Sequence, residues 1–253
     1  MVVQKDICVI VQQNKDNSIL NFKALNSVQK PIFVKLEEYL GPQGIAEADR
    51  TLARLGKSLD DSFKDKTVLV AYGGGKDSSY MTAFIRYLQL KILKPENIND
   101  TFTMRVVTNR QSNMPNTVME NIDRVFQALG IYKDKNVESL VVDGDNVTRL
   151  SSELPLTKFP IPKEVIKRDR KDMLMAGHIT QAEGRRVYCD ACNAYMQKGE
   201  AHAITAGKGV NLIITGDSLK ELVHYKNWID RLYEFVTKTP QSAKPTAKEG
   251  FMD

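Results

Sequence analysis

Val68–Ser79, Val-Leu-Val-Ala-Tyr-Gly-Gly-Gly-Lys-Asp-Ser-Ser, changes character twice within a few residues. Thr67 to Tyr72 is a short apolar run containing β-branched residues, the pattern of a strand buried on both faces. Gly73, Gly74 and Gly75 end it. From Asp77 the period becomes that of a helix, with Met81, Phe84, Ile85, Leu88 and Ile92 along one face. Three glycines between a strand and a helix predict an anion site. Without a Cβ in the way their N–H groups can approach phosphate oxygens, and the helix adds the positive end of its dipole. Lys76 and the hydroxyls of Ser78 and Ser79 supply further donors. The Walker-A spacing and the Gly-x-Gly-x-x-Gly dinucleotide spacing are both absent.

The segment resembles the PP-loop of the ATP pyrophosphatases. Their pattern Ser-Gly-Gly-x-Asp-Ser falls on Gly73-Gly74-Gly75-Lys76-Asp77-Ser78, with five of the six positions compatible. Gly73 stands where the family usually has Ser, so one hydroxyl to the phosphates is missing. The resemblance implies an α/β, doubly wound, mainly parallel sheet of the adenine nucleotide alpha hydrolase-like kind. It also implies cleavage of ATP between the α and β phosphates, transfer of AMP to a substrate oxygen, and displacement of that AMP by nitrogen or sulfur. In this chain Tyr72, Gly73, Gly74, Gly75, Lys76, Ser78 and Ser79 would bind ATP, Asp77 would serve catalysis, and Mg²⁺ would accompany the nucleotide.

At 253 residues, 42% hydrophobic and 26% charged, the chain can bury one α/β core plus a small appendage. No apolar run approaches the ~20 residues of a membrane span. The opening Met-Val-Val-Gln-Lys-Asp lacks the charged-then-apolar order of a signal peptide, so the expected setting is cytoplasmic, with no membrane partner. A net charge of +5 suits a polyanionic substrate and leaves nucleotide and RNA both open. Cys8, Cys189 and Cys192 are an odd count that argues against a disulfide framework.

Residues 1–65 read as a small α+β appendage: a strand at Ile7–Val11, then helices at Pro31–Leu40 and Ile45–Leu59 around a turn at Gly41-Pro42 and Gly44. An RNA-binding element, a homodimer contact, a lid and a helical cap packed on the sheet are all open for it. The charged connector Asp60–Lys66 marks the boundary to a nucleotide domain at 66–237, and residues 238–253 read as a flexible tail. Within the domain, Phe102–Thr108 and Val137–Val142 read as strands, and Asn116–Leu129 as a helix with Val118, Ile122, Val125, Phe126 and Leu129 on one face. Strands alternating with helices predict parallel pairing, with ligands beyond the carboxyl ends of the strands. By the family resemblance, adenine is held near Val107-Thr108-Asn109, which adds Thr108 to the ATP-binding set. Asn109 and Arg110 can reach base or ribose, or simply be polar loop residues. Leu150–Pro162 is an irregular, Pro-containing loop, and Lys163–Lys171 is densely charged and mainly basic.

Tyr188-Cys189-Asp190-Ala191-Cys192-Asn193 precedes an expected helix at Ala194–Ala206. Two thiols in Cys-x-x-Cys spacing near a helix start have a route to lowered pKa, and such a pair can be nucleophilic, redox-active, metal-binding or merely buried. A zinc site would need His178 and His202 in a spacing that matches no common zinc-finger pattern. Val210–Thr215 reads as another buried strand, running into Gly216-Asp217-Ser218. Nucleotide loop, Cys-x-x-Cys, then Thr215-Gly216-Asp217-Ser218-Leu219 is similar to the order in PP-loop sulfur-transfer enzymes, whose tRNA 4-thiouridine synthetases carry Thr-Gly-Glu-Ser-Leu. That resemblance implies that Gly216, Asp217 and Ser218 help position ATP, and Asp217 is a candidate Mg²⁺ ligand because a hard cation prefers carboxylate oxygen. Relatives with an iron–sulfur cluster hold it with a third cysteine after the pair; none follows Cys192, so a persulfide or disulfide route on Cys189 and Cys192 is expected over a cluster.

The leading expectation is an ATP-dependent sulfur transferase. It would act on a carbonyl of a nucleotide or RNA (tRNA) acceptor and be served by a sulfur donor protein or sulfide. The alternatives are a ligase delivering ammonia to the same kind of adenylate and a nucleotide-binding subunit without catalysis.

Overall fold

The computed structural model describes residues 27–93, 100–110, 114–143, 146–161, 163–164, 167, 199–215 and 236–238. Helix α1 (Gln29–Ser58) leads into strand β1 (Thr67–Ala71), and helix α2 (Lys76–Ile92) crosses to strand β2 (Thr103–Asn109). Helix α3 (Asn116–Ala128) leads to strand β3 (Val137–Asp143) and its hairpin partner β4 (Asn146–Arg149). A short 3₁₀ turn (Leu156–Lys158) follows; farther along the chain residues 199–205 are helical, α4, and β5 (Leu212–Ile214) is the last strand of the sheet. The sheet order is β4-β3-β2-β1-β5. β1, β2, β3 and β5 run parallel and β4 is antiparallel to β3.

Strand alternation assigns the two faces. Val68, Val70 and Tyr72, with Met104, Val106 and Val141, form one core with Ile85 and Leu88 of α2 and Ile122 and Phe126 of α3. Leu69, Val107, Leu140 and Val142 form the other, against Ala201, Ala203 and Ile204 of α4. Helices thus cover both faces, and strands buried on both sides need the unbroken apolar run that Val68-Leu69-Val70 provides. Each such side chain removed from water contributes ~1.5–3 kcal/mol.

The described part of the N-terminal segment shares the first core. Phe33, Ala48, Leu55 and Leu59 are buried in it. Tyr87 of α2 donates to Glu37 at 3.0 Å, and Lys91 pairs with Asp49. Where the sequence predicts two helices around a turn, α1 breaks at Gly41 alone (φ 58°, ψ −175°) and resumes at Pro42. Only glycine adopts that backbone readily, and a proline with fixed φ and no N–H suits the first position of the resumed helix.

β4 is not among the expected strands. Its register, Asp143↔Asn146, leaves Gly144-Asp145 as a two-residue connection, and Gly-Asp is a recognised hairpin signal. The bounds of β1, β2, β3 and β5 differ from expectation by a residue or two, and the strand expected at Ile7–Val11 lies outside the described residues.

Arg105 is the polar exception inside the second face. It pairs with Glu138 at 2.7 Å and donates to the carbonyls of Ala203 and Ala206 at 2.9 and 3.0 Å. These are C-terminal carbonyls of α4, so a buried cation sits at the negative end of that helix and fixes its direction. Its described start, Gly199 and Glu200, therefore lies at the carboxyl edge of the sheet. A Cβ at Gly199 would stand 2.4 Å from Val142 and 2.9 Å from Asn109 Oδ1, so only glycine lets the helix approach the strand ends this closely.

Candidate functional site

β1 is where the strand order reverses: the chain leaves it for β2 on one side, and β5 lies against its other side. In open α/β sheets a crevice forms at such a point, outside the carboxyl ends of the strands. The glycine stretch sits there. β1 ends at Ala71, Tyr72 remains tied to β2 through its N–H to Val107 O at 2.8 Å, and α2 begins at Lys76.

Gly74 has φ +78°, and a Cβ on it would press Ile122 at 3.0 Å and Val118 at 3.2 Å, so both its conformation and its packing on α3 call for glycine. Gly75 is the N-cap of α2 in extended conformation, and no side chain caps the helix. The first-turn N–H groups of a helix have no intrahelical acceptor. Left uncapped by any side chain, those of α2 suit an anion. Gly73, Gly75, Lys76 and Asp77 are exposed there, while Ser78 and Ser79 are half-buried.

The carbonyls of the loop point elsewhere. Gly75 O accepts from Ser79 N at 3.0 Å, Ser79 Oγ at 2.7 Å and Ser78 Oγ at 3.2 Å. Gly74 O accepts from Asn121 Nδ2 of α3 at 3.3 Å. Behind the loop, the phenol of Tyr72 lies 3.0 Å from Ser79 Oγ, and its ring packs on Phe126 at 5.3 Å. Burial pushes that phenol above its ordinary range, against the smaller lowering effect of Ser79, so it holds its proton at neutral pH.

Beside Tyr72, on the next strand and the same face, Thr108 is fully buried. Its Oγ1 has no hydrogen-bond partner among the described residues. Asn109 faces the other way and donates from Nδ2 to Glu200 Oε1 of α4 at 3.3 Å, while its Oδ1 is buried and unpartnered among the described residues. An unmet buried polar atom costs ~1–3 kcal/mol, so two at consecutive positions of β2 need a reason.

Of the residues expected from sequence, the structure gathers Tyr72, Gly73, Gly74, Gly75, Lys76, Asp77, Ser78, Ser79 and Thr108 at this edge. Asn109 and Arg110 end β2 there as well. β5 carries the chain to Thr215 alongside β1. Gly216, Asp217 and Ser218, with Cys8, His178, Cys189 and Cys192, lie outside the described residues. His202 lies on α4. Among the described residues no group of three His, Cys, Asp or Glu could hold a metal ion, and no helix is long and apolar enough to cross a membrane. Asn121 and Glu200 were not foreseen: both are polar residues that acquire a role only through a partner far away in sequence. Compared with models of known protein families, with curated proteins and with solved structures, the chain finds no match.

Proposed function

We propose that the protein is an AMP- and pyrophosphate-forming PP-loop enzyme of the adenine nucleotide alpha hydrolase-like kind that transfers sulfur to an adenylated carbonyl. The observation that carries the nucleotide part is the junction of β1, three glycines and the uncapped start of α2 at the point where the strand order reverses. Loop N–H groups hold the β and γ phosphates, Lys76 and Ser78 add donors, and Thr108, at the end of β2, lies toward the nucleoside. The substrate oxygen attacks the α-phosphorus and pyrophosphate leaves. Preorganised donors favour the charge that builds on the leaving group. Mg²⁺, with Asp217 as its candidate ligand, would neutralise phosphate charge when bound.

The sulfur part rests on the Cys189 and Cys192 pair. A persulfide on one of them attacks the activated carbon and expels AMP. The other thiolate then attacks the remaining S–S bond, leaving a carbon–sulfur product and a Cys189–Cys192 disulfide; a thiol reductant returns the pair to two thiols, and a sulfur donor protein carrying its own persulfide passes its outer sulfur to one of them to restore the starting state.

Pyrophosphate release from ATP tests the reading. Ser78→Ala is expected to lower it by ten- to hundredfold with the fold intact, since a hydrogen bond to a charged phosphate is worth ~1.5–3 kcal/mol, and Asp77→Ala, which removes the carboxylate assigned to catalysis, is expected to lower it as well. Undiminished release from both variants would overturn it. Product mass, after incubation with candidate acceptors, then separates exchange of oxygen for sulfur from exchange for NH. Cys189→Ala and Cys192→Ala are expected to lose product while keeping pyrophosphate release.

A further inference from the structure

We propose that Tyr72, Ser79 and Asn121 are positioning residues that tie back the carbonyls of the glycine loop, so that its N–H groups face the pyrophosphate portion of a nucleoside triphosphate. The proposal rests on the nucleotide reading above and assigns work within it. A three-glycine turn carries as many C=O as N–H groups, and without side chains nothing local decides which set faces the ligand. An anion needs the N–H set turned toward it and the C=O set turned away.

Here both carbonyls next to the helix are engaged from behind. Gly74 O is held by Asn121 Nδ2 at 3.3 Å, and Gly75 O by Ser79 Oγ at 2.7 Å as well as by the helix N–H of Ser79. A hydroxyl has one proton. With the Ser79 proton given to Gly75 O, the 3.0 Å contact between Ser79 Oγ and the Tyr72 phenol must have the phenol as donor. The order is Tyr72 O–H to Ser79 Oγ, then Ser79 O–H to Gly75 O. Tyr72 itself is 1% exposed and wedged against Phe126, so the relay starts from a fixed point in the core. The two serines then divide their labour. Ser78 makes the longer bond to Gly75 O, 3.2 Å, and is the hydroxyl a phosphate oxygen can draw away; Ser79 stays with the loop.

Isothermal titration of the full chain with inorganic pyrophosphate, and separately with ATP, tests this. Asn121 is exposed and Tyr72→Phe removes only an oxygen, so Asn121→Ala and Tyr72→Phe retain the fold. Each is expected to weaken binding about tenfold. Ser79→Ala, which breaks both links of the relay, should weaken it further, and Ser79→Thr, which restores the hydroxyl, should recover most of the affinity. Binding as tight as the parent's in Asn121→Ala, Tyr72→Phe and Ser79→Ala would overturn the proposal while leaving the nucleotide reading in place. A Ser79→Thr protein as weak as Ser79→Ala would also overturn it, because bulk at the site and not the hydroxyl would then matter. A parent protein that binds neither pyrophosphate nor ATP would bring down the nucleotide reading, and the proposal with it.

Discussion

The two ends of the sheet treat buried polar groups in opposite ways. At the amino end, Arg86 is 2% exposed and its donors are satisfied: Nε reaches Leu129 O at 3.2 Å, and the two terminal nitrogens reach Gln89 and Asp134. Gln89 donates in turn to Phe102 O at 2.7 Å and Asn136 O at 2.9 Å, and Gln29 of α1 donates to Leu129 O at 3.2 Å. At the carboxyl end, Thr108 Oγ1 and Asn109 Oδ1 have no partner among the described residues, and α2 starts without a side-chain cap. Burial demands hydrogen bonding everywhere, and on the proposed reading a nucleotide completes the end that leaves groups unmet. The amino end holds the fold together; the carboxyl end keeps its bonding capacity in reserve.

Arg86→Leu should have the largest effect on stability. It takes the buried guanidinium away from the Asp134 carboxylate and from Gln89 Oε1, while Leu129 O keeps its bond from Gln29, and removing one member of a buried pair costs ~3–5 kcal/mol, with Asp134's partial exposure placing this near the lower figure. Urea unfolding measures it, and the nucleotide affinity of the folded protein should not change. Gly74→Ala comes next. A side chain at φ +78° costs ~1–2 kcal/mol, and the new methyl presses on Ile122, so ATP affinity should fall together with stability. Thr108→Val should move the two properties apart. Removing an unmet buried hydroxyl is neutral or stabilises by up to ~1 kcal/mol, while ATP binding weakens. A destabilised Thr108→Val would show that the hydroxyl has a structural partner and would erase the contrast between the two ends.

The smallest expected effect is alkaline. Burial pushes the phenols of Tyr87 and Tyr132 above their ordinary range, with Glu37 and Asp123 adding to the shift. Above pH ~10 the unfolded chain releases those protons and the folded chain retains them, so the unfolded state binds fewer protons and stability falls as pH rises. Urea midpoints measured across that range should decline less steeply in Tyr87→Phe and Tyr132→Phe.

The sequence announces the carboxyl end more clearly than the amino end. Tyr72-Gly73-Gly74-Gly75-Lys76-Asp77-Ser78 is contiguous, and the switch from strand to helix period at the glycines locates it without knowledge of tertiary contacts. The parallel sheet is legible for the same reason, because the runs at β1, β2 and β3 alternate with a helical period. Arg86 and Gln89 read as ordinary polar helix residues; that they are buried depends on Leu129, Asp134 and Asn136, more than forty residues on. Asn121 lies outside the apolar stripe of α3, with nothing local to connect it to Gly74. Helix α1 looks like an appendage because its apolar residues are sparse and interrupted at Gly41, yet Phe33 and Leu55 fall into the sheet's own core. The Gly144-Asp145 pair is the mark of β4 in the sequence, and it is a weak one between two short runs of unequal hydrophobicity.

Amide hydrogen exchange with and without ATP tests the contrast between the two ends most directly. With ATP at about a hundred times its dissociation constant, global opening is harder by ~2.7 kcal/mol, and local openings that expose the bound loop are suppressed as well. The predicted result is slowed exchange concentrated at Gly73–Ser79 and at Thr108 and Asn109. Arg86, Gln89 and the residues around Asp134 should gain no local protection beyond the global term. Protection centred on the amino end, or no change at Gly73–Ser79 at a concentration that saturates binding, would contradict it.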